Sequence, residues 1–75
     1  MTRETAMTVL ETGINQCAAI RRDVVWARGD DAASRHSAIL ADLEAHIPLC
    51  SSAIVADIYR GVIHGERCAF VAATA

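Results

Sequence analysis

The residues of this chain best suited to chemistry are two histidine–cysteine pairs with the same spacing. Cys50 follows His46 by four residues, and Cys68 follows His64 by four residues. Residues four apart share a face of an α-helix, so each pair can present one imidazole and one thiolate to a metal ion. Together the four side chains would supply the two-nitrogen, two-sulfur set that suits zinc or copper. Metal binding is therefore one hypothesis, although Pro48 interrupts the first pair.

The same pairs give little support for catalysis. His64 beside Cys68 would form a nucleophilic dyad, because a neighbouring imidazole activates a thiol. The sequence offers no evident orienting group or oxyanion site, and 75 helical residues leave little room for a pocket. Three cysteines are an odd number, which favours reduced thiols over a disulfide framework. We therefore expect a protein that is not an enzyme and that uses no cofactor.

Composition weakens two further classes of function. Nine acidic residues face seven basic ones, all arginine, and the net charge of −2 gives no electrostatic case for nucleic acid or an anionic membrane. No uncharged apolar run approaches the roughly 18 residues of a membrane span, and the N-terminus does not resemble a secretory signal. We expect a cytoplasmic protein. A small DNA-binding regulator stays as an alternative, resting on Arg60 and Arg67 in the third helix and on a patch formed by Arg21, Arg22, Arg28 and Arg35.

Three helical segments must position these residues. Apolar periodicity predicts helices over about 3–28, 31–47 and 51–70, and no stretch alternates as a strand does. A connection of two or three residues at Gly29 makes the first two helices antiparallel. The sequence therefore predicts one all-α domain over 1–75, a long antiparallel helical hairpin with a third, broadly apolar helix across it.

Capping residues and one proline indicate where these segments begin and end. Thr2 is placed to cap the first helix, and Asp30 or Asp31 the second. Pro48 ends the second helix or opens the next, since proline is tolerated only in a first helical turn. Ser51 or Ser52 then caps the third helix, and the tail after Phe70 is expected to fray.

The third helix carries more apolar surface than one hairpin can cover. Its apolar residues span about two thirds of the circumference at 100° per residue, which predicts packing against both flanks. A chain this small hides surplus apolar surface against a second copy, so we expect a homodimeric helical bundle. Small residues at a spacing of four let two helix backbones approach closely. They place the dimer interface at Ile54, Ile58, Gly61, Gly65 and Ala69.

Two polar residues fall on apolar stripes. The inner face of the first helix reads Met7, Leu10, Ile14 and Cys17, and Arg21 takes the next position. Glu66 is the corresponding polar residue on the apolar stripe of the third helix. The two side chains either pair or reach water separately. His36, on the inner stripe of the second helix, is expected to pack in the core or at its rim.

A second surface is suggested near the hairpin tip. Trp26 falls opposite the inner stripe of the first helix, between Arg22 and Arg28. Tryptophan and arginine dominate interface hot spots, so this trio is a candidate site for a protein partner. The competing interpretation is that the indole folds under the Gly29 turn. The sequence thus favours a non-catalytic interaction or regulatory protein that homodimerises and binds a partner through a helical face.

Overall fold

The computed structural model describes residues 1–26 and 31–74, with only the backbone described for residues 24–26. These residues form α1 (Arg3–Trp26), α2 (Ala32–His46) and α3 (Ala53–Thr74), with a short 3-10 turn, Ile47–Leu49, between α2 and α3. No β-strand occurs in the described ranges. The prediction of an all-α, three-helix chain is confirmed.

Contacts between the helices give their directions. Gly13 of α1 lies against Leu43 of α2, whereas Arg21, later in α1, is joined through Glu66 to His36, earlier in α2. The hairpin is therefore antiparallel, as predicted. Tyr59 reaches the first turns of α1, so α3 lies along the hairpin and runs in the direction of α1. The result is a narrow bundle of 39 × 17 × 15 Å.

Two of the helices begin at the predicted capping residues. The amide N–H of Thr5 donates to Thr2 Oγ1 at 3.2 Å, and that of Ile54 donates to Ser52 Oγ at 3.2 Å. Thr2 and Ser52 are therefore N-caps, as expected. Asp31 precedes α2 without a side-chain cap bond and lies 3.6 Å from the Arg35 Nε instead. Pro48 sits inside the 3-10 turn and separates α2 from α3.

The third helix is longer at its C-terminal end than predicted. It was expected to end near residue 70, but it continues through both Gly61 and Gly65 to Thr74. Neither glycine has a positive φ, so neither acts as a helix stop. The Thr74 hydroxyl donates to the Phe70 carbonyl at 2.9 Å and closes the last turn. The predicted end of the first helix, near residue 28, lies outside the described residues.

One buried tyrosine organises the core. Tyr59 is fully buried, and its hydroxyl donates a hydrogen bond to the Ala6 carbonyl oxygen of α1. Burial, above all, raises the pKa of this phenol. The core cluster consists of Ala6, Leu10, Cys17, Leu40, Leu43, Val55, Tyr59 and Ile63.

The inner face of α1 is rotated from the predicted stripe. Met7 was expected inside, but it is 36% exposed, whereas Ala6 is buried. Gly13 is also buried. Leu43 packs directly against it, and a Cβ added at Gly13 would lie 2.9 Å from both Leu43 methyl carbons. Small residues at 6 and 13 admit Tyr59 and Leu43 to close contact with the α1 backbone. A search for apolar bulk overlooks such positions.

Among the helices that the structure describes, none combines the length and apolar character needed to cross a bilayer.

We predict that alanine substitution has opposite effects at two helical glycines. Gly13→Ala should lower the free energy of unfolding by about 1 kcal/mol or more, because overpacking against Leu43 outweighs the better helix propensity of alanine. Gly61→Ala should raise it by about 0.5–1 kcal/mol, since among the described residues no side chain and no other helix lies within 4 Å of the added Cβ. Urea unfolding of dilute protein measures both. Equal gains at the two sites would contradict the close packing of α1 on α2.

Candidate functional site

Three helices meet at one carboxylate in the bundle. Arg21 of α1 donates from Nε to Glu66 Oε2 at 2.6 Å and from Nη2 to Glu66 Oε1 at 3.1 Å. His36 of α2 lies with Nε2 2.9 Å from the same Oε2. The Arg21–Glu66 pair, one of two outcomes left open by the sequence, is thus formed. We call Arg21, His36 and Glu66 the polar cluster.

Two of the three side chains in the polar cluster are buried, so each needs its hydrogen-bond partner. The side chains of Glu66 and His36 are only 3% and 4% exposed, while that of Arg21 is 32% exposed. A carboxylate only accepts hydrogen bonds, so His36 must carry its proton on Nε2 to donate to ionised Glu66. The two-pronged arginine contact fixes the carboxylate plane. Removing either partner would leave a charge or polar group in an apolar setting.

Apolar contacts complete the surroundings of the polar cluster. The His36 ring stacks on Phe70, with centroids 4.0 Å apart and planes inclined by 22°. Cys17 lies in the adjoining core, fully buried. Its pKa is raised from 9.0 to about 11, first because burial disfavours the thiolate and second because Glu66 is negative. Cys17 is therefore a protonated packing residue rather than a nucleophile.

The polar cluster fixes the rotation of α3 about its own axis. With Glu66 held inward, one flank of α3, about 60–160° from Glu66 on the helical wheel at 100° per residue, faces largely away from the hairpin. This side is the outer face, which we define as Ile54, Ile58, Gly61, Gly65, Cys68, Ala69 and Ala72. It contains all five residues of the predicted dimer interface and adds Cys68 and Ala72.

The outer face is open within one chain. Ile54 is 63% exposed and Ile58 37% exposed, and a Cβ at Gly61 or Gly65 would meet nothing within 4 Å. Within one chain, therefore, the hairpin covers only one side of α3, and the covering of the other flank by a second copy stays a prediction. Two helices can cover only one side of a third, and the polar cluster selects which side that is.

The two histidine–cysteine pairs are not brought into one site within the chain. His46 Nδ1 lies 2.7 Å from the Asp42 carbonyl oxygen, and Cys50 Sγ donates to the His46 carbonyl oxygen at 3.5 Å. His64 Nε2 and Cys68 Sγ do face each other, 3.7 Å apart on the surface. Over the residues described, no three or more His, Cys, Asp and Glu side chains are grouped to hold a metal ion. The expected four-ligand set is not assembled.

The candidate partner site near the hairpin tip is only partly described. Arg22 is exposed at the end of α1. The side chain of Trp26 and the whole of Arg28 lie outside the described residues. This site stays a prediction from the sequence.

Several of the arginines proposed for DNA contacts already have acidic neighbours. Arg60 pairs with Asp57 at 2.8 Å, Arg67 pairs with Glu44, and Arg21 pairs with Glu66. Each pairing reduces the positive potential that a phosphate backbone would require. The arrangement of charges gives no particular support to DNA binding.

Of the residues that form the polar cluster, sequence reasoning gave His36 the least definite role. It was assigned only to the core or its rim, although it shares an inner stripe with the apolar residues of α2. The available signal was that a titratable side chain on an inner stripe needs a polar partner. Arg21 and Glu66, the polar residues on the inner stripes of the other two helices, were the candidate partners.

Comparison of the chain with protein-family models, with curated proteins and with solved structures gives no significant match.

We predict that Glu66→Gln destabilises the chain by about 2–3 kcal/mol, because the amide cannot neutralise Arg21 or accept all three hydrogen bonds. Glu44→Gln is the matched control, since it removes the same charge from a surface pair with Arg67. Its cost should be at most about 1 kcal/mol. Urea unfolding of both variants measures the difference. Equal losses would show that the polar cluster contributes no more than a surface pair.

A second prediction concerns alkaline stability. The folded chain keeps the Cys17 proton up to about pH 11, whereas the ordinary pKa is 9.0. The unfolded state therefore binds fewer protons between these values, and stability must fall as the pH rises from 9 to 11, by at most about 1.4 kcal/mol per pH unit. Cys17→Ala should flatten this decline. Unfolding at several alkaline pH values measures the slopes, and parallel slopes would contradict the raised pKa.

Proposed function

We propose that this chain is a small, non-catalytic interaction protein that homodimerises through the outer face of α3 and binds a protein partner through a helical face. The observation that carries the proposal is the uncovered outer face itself. Its residues are all uncharged, and its two largest side chains, Ile54 and Ile58, are 63% and 37% exposed. A contiguous apolar strip on a small protein is a typical interaction site.

The length of the outer face suits helix pairing. From Ile54 to Ala72 it extends about 27 Å along α3, at about 1.5 Å per residue. Gly61 and Gly65 lie near its middle, where a Cβ would meet no side chain or other helix of the described residues within 4 Å, and this allows another backbone to approach closely. One helical face is a small interface, so we expect a weak and reversible dimer rather than an obligate one.

The charges beside the outer face support a second copy as its occupant. Asp57, at the edge of the outer face, pairs with Arg60, and Arg67, on the other flank of α3, pairs with Glu44 of α2. These pairs satisfy one another inside the chain and offer no net charge that would select a partner of opposite sign. An uncharged strip whose nearest charges, Asp57 and Arg60, neutralise each other fits its own copy without electrostatic repulsion.

A small core gives self-association a thermodynamic benefit. A chain of 75 residues buries only about 60% of its unfolded surface, so its stability is marginal. Covering Ile54 and Ile58 in a dimer adds apolar burial that one chain lacks. Because only the folded chain presents this strip, dimerisation also stabilises the fold by mass action.

We predict that Gly65→Gln weakens self-association while leaving the dilute chain as stable as before, or slightly more so. The longer side chain blocks close approach, but glutamine is a good helix former and meets open space in one chain. Ala41→Gln places the same side chain at an exposed position of α2 and is the matched control. Sedimentation equilibrium over a concentration series measures association. A wild-type chain that stays monomeric to hundreds of micromolar would overturn the proposal.

A further inference from the structure

We infer that the two copies in this dimer, which rests on the proposed function, pair their α3 helices antiparallel about a two-fold axis near residue 63. The inference comes from the order of side-chain sizes along the outer face. Its N-terminal half carries the two large side chains, Ile54 and Ile58. The middle is glycine, and the C-terminal half holds only small side chains.

Antiparallel pairing matches large side chains to small ones. With the axis near residue 63, Ile54 faces the partner's Ala72, and Ile58 lies over the partner's Cys68 and Ala69. Gly61 meets the partner's Gly65 at the centre. Each layer then holds one large and one small side chain, or two glycines, and the helix axes stay evenly spaced. Opposed helix dipoles add a smaller favourable contribution.

Parallel pairing produces uneven layers. Ile54 would face its own copy, and so would Ile58, which pushes the N-terminal halves apart. At the other end Ala72 would face its own copy, where close contact needs a short interaxial distance. Two straight helices cannot meet both demands, so a parallel pair would leave a gap at one end.

The antiparallel arrangement makes a definite statement about cysteine distances. Cys68 and the partner's Cys68 would be separated by about 15 Å along the helix axes, ten residues at 1.5 Å each. That separation is too great for a disulfide, whose Cα atoms lie within about 7 Å. Position 58 and the partner's Cys68, in contrast, stand at the same level. A parallel pair reverses these relations, because every residue then lies level with its own copy.

The test is oxidative cross-linking of Ile58→Cys in a Cys50→Ser background, which keeps native Cys68. Ile58 is partly exposed and outside the core cluster, so the chain should fold. Ala41→Cys in the same background is the control, because it adds an exposed thiol on α2. Cleavage after arginine puts position 58 in the 36–60 peptide and Cys68 in the 68–75 peptide, so mass spectrometry identifies each link.

Antiparallel pairing predicts a covalent dimer of twice 8.0 kDa that is joined by links between positions 58 and 68. The parent Cys50→Ser chain should give no link between two Cys68 residues. The Ala41→Cys control should give no such preference. A second pair, Ile54→Cys with Ala72→Cys in a background that also carries Cys68→Ser, should cross-link in the same way and does not depend on position 58.

Two results would overturn the inference, and they are distinguishable. Links of 58 to 58 and of 68 to 68 as the main products would show a parallel dimer, which leaves the proposed function intact. Light scattering that shows only monomers, together with no preferred link, would remove both the dimer and its orientation.

Discussion

The contact of Arg21 and His36 with the Glu66 carboxylate is the constraint on which the rest of the structure depends. Each helix contributes one member, so α3 cannot turn about its axis or slide along the hairpin without breaking hydrogen bonds that are buried or partly buried. Apolar packing alone would tolerate other rotations of α3, because most of its circumference is apolar. The polar cluster therefore supplies orientation, while Tyr59 and its neighbours supply most of the apolar burial.

This orientation has a consequence on one flank of α3. Holding Glu66 inward directs Ile54, Ile58 and the two central glycines outward. The same residue that closes the interior thus exposes the strip on which we propose self-association. A buried ion pair is seldom the most stabilising choice at a core position, and its value here is that it specifies one arrangement of three otherwise adaptable helices.

Several residues show how far pattern reasoning reached. Arg21 and Glu66 were recognisable as polar residues on apolar stripes. Periodicity within one helix does not show how close residues on different helices lie, so it left their pairing open. Met7 was placed inside because it is apolar and in register, whereas Ala6 takes that role because Tyr59 reaches over it. The pairs His46–Cys50 and His64–Cys68 have the same spacing in the sequence, but their side chains are arranged differently in the structure. The first pair is bonded to backbone carbonyl oxygens beside the 3-10 turn.

The sequence by itself determined the class of fold, the number of helices and two of the helix caps, because these depend on local periodicity and on side chains within a few residues. It also determined that α3 carries more apolar surface than two helices cover. Only the tertiary structure decided which side of α3 stays open, which small residues of α1 admit large neighbours, and which polar residues meet. Those outcomes depend on contacts between residues 30 to 53 positions apart in the chain, from His36 with Glu66 to Ala6 with Tyr59. No local pattern encodes the rotation of one helix against another.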